Sequence, residues 1–239
     1  MPETFLALIT AHLIADFPLQ PDWLIQRKRK PALLIGHMLI IAGTTIAVLG
    51  AWPIPLLALL IATHLLMDSI KVYALPNRLW AFTLDQFVHL GAILGLSIAF
   101  PSSFSGGFWA NLHAPYLTAY LIILCLISGA ILNFQVGSIV IRKAVSGFTA
   151  QIDGSIKGLE NGGSFIGILE RALVMILVLM GEPTGVGFLI TAKSILRFGD
   201  VKESNQRKMT EYIIIGTFLS FSWALLVSAL TKTALDYWS

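Results

Sequence analysis

Histidine and aspartate recur four residues apart at three places in the first half of the chain. Residues at this spacing share one face of a helix. An imidazole and a carboxylate on one face can bind a divalent metal ion or relay a proton. The three pairs are His12 with Asp16, His64 with Asp68, and Asp85 with His89.

The order of the two residue types differs among the pairs. The first two run from His to Asp, and the third runs from Asp to His. If the third pair lies on a helix that runs opposite to the other two, the imidazoles fall in one layer and the carboxylates in a second layer. The sequence therefore predicts one converging site rather than three separate pairs.

Composition indicates which elements position these pairs. Apolar residues make up 56% of the 239 residues, and charged residues only 12%. One soluble core cannot bury so much apolar surface, so a bilayer is the expected surrounding. Because the apolar runs are long and do not alternate with period two, they favour helices over a barrel.

Eight apolar stretches approach the roughly 20 residues that a helix needs to cross a bilayer. The first and the seventh are short, and a re-entrant segment is the alternative for each. The predicted spans are residues 4–19, 32–50, 54–74, 79–100, 116–138, 164–181, 184–198 and 211–231.

Basic residues occupy only the odd-numbered loops between these spans. The first loop holds four of them at 27–30, whereas the even loops contain no Lys or Arg. The positive-inside rule places the odd loops in the cytoplasm and both termini outside it. The predicted fold is an all-α, polytopic membrane helical bundle whose His/Asp pairs lie in the cytoplasmic half.

A polar, Gly-rich stretch divides the sequence into two parts. Residues 1–145 are predicted to form a five-helix half with the His/Asp site, and residues 146–239 a Gly-rich cytoplasmic loop with a three-helix half, packed together as one unit. Gly162 and Gly163 precede a helix, where free backbone N–H groups can hold an anion. A plain linker is the favoured interpretation, because no phosphate-loop pattern is present.

A metal ion is the leading interpretation of the three pairs. Ionisable residues inside a membrane are costly and usually functional, and clustered carboxylates repel one another unless a cation or protons neutralise them. With a single cysteine in the chain, the ligands must be nitrogen and oxygen, which suits Zn²⁺ and, as alternatives, Mn²⁺ or Fe, as one ion or two. Structural His–Asp hydrogen bonds and a proton or cation pathway are the competing interpretations. The predicted ligands are His12, Asp16, His64, Asp68, Asp85 and His89, of which the three aspartates are also the candidate catalytic residues.

Several polar residues accompany the pairs. Lys71 lies one turn beyond Asp68, and it is expected to snorkel to the cytoplasmic interface, with a substrate phosphate as the alternative partner. Gln86 adjoins the third pair, and with Lys71 it is a candidate for substrate binding. His37 is expected to be a packed or interfacial residue, with an additional ligand as the alternative, and His113 is expected to be a surface residue.

Five charged residues form a second polar cluster in the last three spans. Structural ion pairing, of Glu170 with Lys193 and of Glu211 with Arg197, is the favoured interpretation. The alternative is a substrate-binding clamp for an anionic headgroup or phosphate, because the basic residues exceed the acidic ones by one. The five residues are Glu170, Arg171, Lys193, Arg197 and Glu211.

The runs HLIADFPLQ from His12, HLLMDSIK from His64 and DQFVH from Asp85, with GILERALV, AKSILRF and EYIIIGTFLS later, resemble a family of uncharacterised bacterial membrane proteins, the domain of unknown function 3307. The resemblance extends over nearly the whole chain. It implies a multi-pass protein of the bacterial inner membrane that is built around these His/Asp pairs, Gln86 and the second polar cluster. It implies no activity.

The leading functional hypothesis is a metal-dependent hydrolase that acts on a lipid or lipid-linked substrate at the cytoplasmic leaflet. The metal would activate a water, an aspartate would take its proton, and the second cluster would hold the anionic group of the substrate. The alternatives are a transporter or channel for protons or divalent cations, and a non-catalytic sensor or scaffold. Membrane lipids are the expected partners, nucleic acid is not, and the sequence does not determine the oligomeric state.

Overall fold

A computed structural model describes residues 1–149, 162–195 and 204–239. These residues are helical and contain no strand, in agreement with the predicted all-α class. They form two compact units, one of residues 1–131 with 235–239 and one of residues 132–234. Most of the Gly-rich stretch predicted at 146–164 lies outside the described residues.

Ten α-helices follow one another along the described chain. A 3₁₀ turn at Trp109–Asn111 precedes the sixth, and a π-helical segment at Leu132–Val136 joins the sixth to the seventh. The helices are α1 (Pro2–Asp16), α2 (Asp22–Arg27), α3 (Pro31–Leu49), α4 (Ile54–Ala74), α5 (Leu79–Ala99), α6 (Ala114–Ile131), α7 (Gly137–Thr149), α8 (Gly162–Leu179), α9 (Gly185–Ile195) and α10 (Ser204–Trp238).

Six helical stretches of the described chain are long and apolar enough to cross a membrane. Helix α1, predicted as a short span, has 15 residues and rises about 22 Å, less than the roughly 30 Å of a hydrocarbon core. The predicted end of the fifth span at 138 is wrong, because the helix continues through the π-helical segment into α7. The six stretches are Pro31–Leu49, Ile54–Ala74, Leu79–Ala99, Ala114–Phe148, Gly162–Leu179 and Arg207–Trp238.

Helix α1 lies in the interior of the first unit, packed against α3, α5 and α6. Ala7, Ala11 and Ala15 are fully buried, and their four-residue spacing gives α1 a face on which neighbouring backbones approach closely. The hydroxyl of Thr10 lies 2.8 Å from that of Ser128 on α6. The two site residues that α1 carries are therefore held away from the lipid.

The first unit places apolar side chains outside and polar side chains inside. Leu39 on α3, Leu66 on α4 and Phe87 on α5 are 70%, 63% and 66% exposed, whereas His64 and Asp85 on α4 and α5 are buried. Lipid accepts exposed apolar side chains, and ionisable residues in a membrane face the bundle interior. This distribution is that of a membrane protein with a polar interior.

The loop between α5 and α6 covers the C-terminal end of α3. The chain leaves α3 at Gly50 with a left-handed φ of 64°. The indole of Trp109 and the hydroxyl of Tyr120 donate to carbonyls in the last turn of α3, at 2.8 and 2.7 Å. A Cβ at Gly107 would lie 2.3 Å from another carbonyl of this turn. Trp109 of the loop and Tyr120 of α6 thus satisfy carbonyls that the helix itself leaves free and fix the end of α3.

The second unit has its own apolar core between α8, α9 and α10. The left-handed turn at Gly181, with a φ of 82°, leads from α8 towards α9. The indole of Trp223 on α10 donates to a carbonyl of the π-helical segment at 3.0 Å. The core consists of Val174, Val178, Val186, Phe221 and Ala224.

Candidate functional site

The structure brings the three His/Asp pairs together in the interior of the first unit. The ring centroids of His12 and His64 are 5.6 Å apart, and those of His12 and His89 are 5.1 Å apart. The rings of His64 and His89 stack at 4.0 Å. All six side chains of the pairs are buried.

The antiparallel arrangement of α4 and α5 explains the reversed order of the third pair. The two helices pack against each other and are joined by a short connection at 75–78. Since His64 precedes Asp68 on α4 while His89 follows Asp85 on α5, the two imidazoles lie side by side. The first pair meets them from the C-terminal turns of α1.

One carboxylate oxygen, Asp16 Oδ1, lies close to three imidazole nitrogens. It is 3.2 Å from His37 Nε2, 3.3 Å from His64 Nε2 and 3.8 Å from His12 Nδ1. Ligand atoms that surround a tetrahedral zinc at about 2.0–2.1 Å are about 3.3 Å from one another. The spacing of these atoms is thus close to that of zinc ligands.

His37 is a fourth imidazole of the site, although a packed or interfacial position was the favoured expectation and a ligand only the alternative. It is fully buried, and its Nε2 also lies 3.7 Å from Asp68 Oδ2 and 2.9 Å from the side-chain nitrogen of Gln20. No aspartate lies four residues from His37, so the pair pattern did not include it. We define the His/Asp cluster as His12, Asp16, His37, His64, Asp68, Asp85 and His89.

The donor atoms of the cluster form three overlapping groups, each with its ligand atoms within 4.8 Å of one another. His64 belongs to two of the groups, and Asp68 also belongs to two. Such an arrangement suits one ion with several ligands or two neighbouring ions. The groups are His12 with Asp16 and His64, His37 with His64 and Asp68, and Asp68 with Asp85 and His89.

Four buried polar atoms of the cluster make no hydrogen bond of acceptable geometry, although His89 Nε2 lies 3.5 Å from Asp85 Oδ1 and His64 Nε2 lies 3.3 Å from Asp16 Oδ1. Buried polar atoms are nearly always bonded, and leaving one unsatisfied costs about 1–3 kcal/mol. Elsewhere in the described chain, only Asn133 Oδ1 and Ser228 Oγ share this condition. A bound ion with its waters would satisfy the atoms of the cluster. They are His12 Nδ1, His64 Nε2, Asp85 Oδ1 and His89 Nε2.

Two lysines pair with carboxylates of the cluster. Lys28 Nζ lies 2.7 Å from Asp68 Oδ2, and its side chain is buried. Lys71 forms an ion pair with Asp85 Oδ2, to which Gln86 also donates at 2.9 Å. Lys71, which was expected to snorkel to the interface, thus pairs with the cluster while its side chain stays 34% exposed. Lys28 was missed because it belongs to a run of four basic residues, in which nothing distinguishes it from its exposed neighbours.

The charges of the cluster come close to balance. Three carboxylates face the two ammonium groups of Lys28 and Lys71, so neutral imidazoles leave one net negative charge. In a membrane interior this charge needs a counter-charge. A bound cation or one imidazolium supplies it.

The second predicted cluster lies in the second unit. Lys193 Nζ is 2.7 Å from a Glu170 carboxylate oxygen, which confirms that predicted ion pair. Glu211 pairs with Arg207 at 3.1 Å on an exposed surface. Its predicted partner, Arg197, lies outside the described residues.

Arg171 is buried and bonded to three parts of the second unit. Its Nε donates to the carbonyl of Asn133 in the π-helical segment at 2.8 Å. Its Nη atoms donate to the hydroxyls of Ser138 on α7 and Ser220 on α10, at 2.5 and 3.1 Å. The guanidinium therefore connects α8 to each of these elements.

Comparison with known proteins gives a family and no function. Residues 4–114 match the model of a family described as "Protein of unknown function (DUF3307)". No curated protein and no solved structure matches the chain. The matched residues contain the whole His/Asp cluster, whereas the later motifs of the predicted resemblance lie outside them.

Proposed function

We propose that the protein is a membrane-embedded, metal-dependent hydrolase. The proposal rests on the geometry of the His/Asp cluster within residues 4–114, which match the model of DUF3307, a family of unknown function. Its substrate is a lipid or a lipid-linked molecule. The observation that carries the proposal is the set of four unpartnered buried polar atoms, three on imidazoles and one on a carboxylate. Nitrogen and oxygen donors in this number suit Zn²⁺, with Mn²⁺ or Fe as alternatives.

The proposed metal ligands are the side chains whose donor atoms make no hydrogen bond or lie close to several imidazole nitrogens. His12, His64 and His89 offer unpartnered nitrogens. Asp16 Oδ1 completes the set, since it lies within 3.8 Å of His12 Nδ1 and 3.3 Å of His64 Nε2. A divalent ion bound here lowers the pKa of water and polarises the bond to be cleaved.

Asp68 is proposed to orient the metal-binding imidazoles without binding the metal itself. Its Oδ2 is held by Lys28 at 2.7 Å and lies 3.7 and 3.8 Å from nitrogens of His37 and His64. Carboxylates in this position orient metal-binding imidazoles and fix their tautomers.

Asp85 is the proposed general base. Lys71 and Gln86 both hold its Oδ2, which leaves Oδ1 as the atom that accepts a proton from the attacking water. We therefore assign Lys71 and Gln86 to the orientation of this base rather than to substrate binding.

The basic residues beside the cluster favour access from the cytoplasmic leaflet. Lys28 belongs to the basic run at 27–30, which faces the cytoplasm under the positive-inside rule. The proposed topology keeps eight crossings and both termini outside the cytoplasm, in the inner membrane of a bacterium. The hydrolysed bond then lies at the depth of the inner-leaflet headgroups.

Metal analysis of the purified protein tests this function. We expect stoichiometric divalent metal in wild-type protein that carries a tag without histidine, and its loss in His64→Ala and His89→Ala. His113→Ala is the matched control, because His113 is the histidine outside the cluster. Absence of metal from the wild type, or equal metal in all variants, would contradict the proposal.

Transport of protons or divalent cations is the second candidate, and one observation favours it. Lys28 and Lys71 each pair with a carboxylate of the cluster, and ionisable pairs inside a membrane commonly mark proton and ion pathways. Proteoliposomes distinguish the two functions. Proton-coupled or metal flux that Asp85→Asn abolishes would support transport, and hydrolysis of a lipid without flux would support the enzyme.

A further inference from the structure

A cavity of about 520 Å³ opens in the second unit, between α7, α8, α9 and α10. Its volume is in the range of small-ligand sites. Three basic side chains, Arg142, Arg171 and Lys193, line it together with one acidic side chain, Glu170. Three positive charges and one negative charge leave the lining with a net charge of +2.

No carboxylate of the described residues lies within ion-pairing distance of the Arg171 guanidinium. The side chain is 3% exposed, and the groups that accept its hydrogen bonds are carbonyls and hydroxyls, which are neutral. Glu170, its neighbour in sequence, is engaged by Lys193 at 2.7 Å. Neutral acceptors do not balance the charge, so a nearby anion would stabilise it.

The cavity is kept open next to this guanidinium by small residues. Gly163 and Gly167 lie eight and four residues before Arg171 on the same face of α8, and both line the cavity. A Cβ at Gly167 would lie 3.2 Å from Arg171 Nη1. That nitrogen donates once, to Ser220, and its second N–H has no acceptor among the described residues.

We propose that this cavity binds a phosphate group, carried by an anionic lipid headgroup or present as a free phosphate ion. Arg171 provides charge-assisted hydrogen bonding and Arg142 provides charge at the rim. Tyr212 and Thr217 line the same space, and each carries a hydroxyl that can serve as an additional donor. The first turn of α8, at Gly163, adds backbone N–H groups of the kind that favour anions. This site belongs to the second unit and does not depend on metal binding by the His/Asp cluster.

Binding to the delipidated, full-length protein in detergent tests the proposal in two arms. Calorimetry measures binding of inorganic phosphate. Native mass spectrometry compares phosphatidylglycerol with diacylglycerol of the same acyl chains, which lacks the phosphate. Phosphate binding identifies the free ion as a ligand, and preference for phosphatidylglycerol alone identifies a lipid headgroup.

Variants connect the binding to the cavity. Arg142 is exposed, so Arg142→Gln is expected to fold and to weaken binding about two- to fivefold. Arg171→Lys keeps the charge but loses the planar fork, and we expect binding to fall about tenfold or more. Arg207→Gln is the matched control, since Arg207 is 79% exposed and does not line the cavity.

A third variant covers the case in which Arg171→Lys does not fold. Gly167→Ala removes no charge but places a methyl group against the guanidinium, and it should also weaken binding. The proposal is overturned if inorganic phosphate does not bind and phosphatidylglycerol binds no better than diacylglycerol. It is equally overturned if the cavity variants bind as well as Arg207→Gln.

Discussion

Asp16 occupies a position at which removal of its charge should weaken metal binding. Its Oδ1 lies within 3.8 Å of nitrogens from His12, His37 and His64, so it is central to any ion that these imidazoles share. Asp16→Asn keeps the shape of the side chain and removes its charge. We expect metal affinity to fall about 10- to 100-fold or more, as when groups next to a metal are lost.

Competition with a metal-binding dye measures this change in affinity. Asp22→Asn serves as the control, because Asp22 is an exposed carboxylate on α2. Equal affinities for the two variants would show that Asp16 is not a ligand.

Lys28 provides a second prediction at the residue scale. Lys28→Met removes the ammonium that lies 2.7 Å from Asp68 and leaves a buried carboxylate without its partner. Breaking a buried pair in this way costs about 3–5 kcal/mol. The midpoint of thermal unfolding in detergent should therefore fall by several degrees.

The control for Lys28 lies in the same basic run. Lys30 is exposed, so Lys30→Met should change stability by no more than about 0.5 kcal/mol. The double variant with Lys28→Met and Asp68→Asn should recover part of the loss. Similar unfolding midpoints for the two single variants would refute the structural role of Lys28.

At the scale of elements, the position of the loop between α5 and α6 depends on the close approach of Gly107 to the backbone at the end of α3. A Cβ added at Gly107 would lie 2.3 Å from the carbonyl oxygen of Leu49, whereas one added at Gly106 would lie 3.7 Å from its nearest neighbour. Because the obstructing atom belongs to the backbone, Gly107→Ala must displace the loop from the end of α3. Overpacking of this kind costs about 1–3 kcal/mol.

Gly106→Ala, in the same loop, is the matched control for Gly107→Ala. Thermal unfolding should distinguish the two, with a lower midpoint for Gly107→Ala alone. An unchanged midpoint for Gly107→Ala would mean that the loop does not hold α3 as the structure indicates.

At the scale of the whole molecule, the His/Asp cluster links the stability of the protein to its metal. The cluster takes residues from α1, α3, α4 and α5, so an ion bound there holds four helices together. A ligand present at 100 times its dissociation constant stabilises the folded state by about 2.7 kcal/mol. We expect a chelator to lower the thermal unfolding midpoint of wild-type protein and to leave that of His64→Ala nearly unchanged. A chelator effect of the same size in both proteins would place the metal elsewhere.

The sequence by itself determined the helical membrane class and the three His/Asp pairs. Both depend on local patterns, since apolar length favours a membrane helix and a four-residue spacing places two side chains on one face. The sequence also explains the reversed order in the third pair. Consecutive helices joined by a short connection run antiparallel, so the reversed order aligns the imidazoles.

Only the tertiary structure decided which other residues join the site. Lys28 reaches Asp68 across 40 positions of the chain, and Lys71 reaches Asp85 across 14. His37 enters because α3 packs against α1. Periodicity along one helix carries no information about such contacts, since the packing of helices determines which faces meet. In the second unit, likewise, packing of α8 against the π-helical segment, α7 and α10 gave Arg171 its neutral partners.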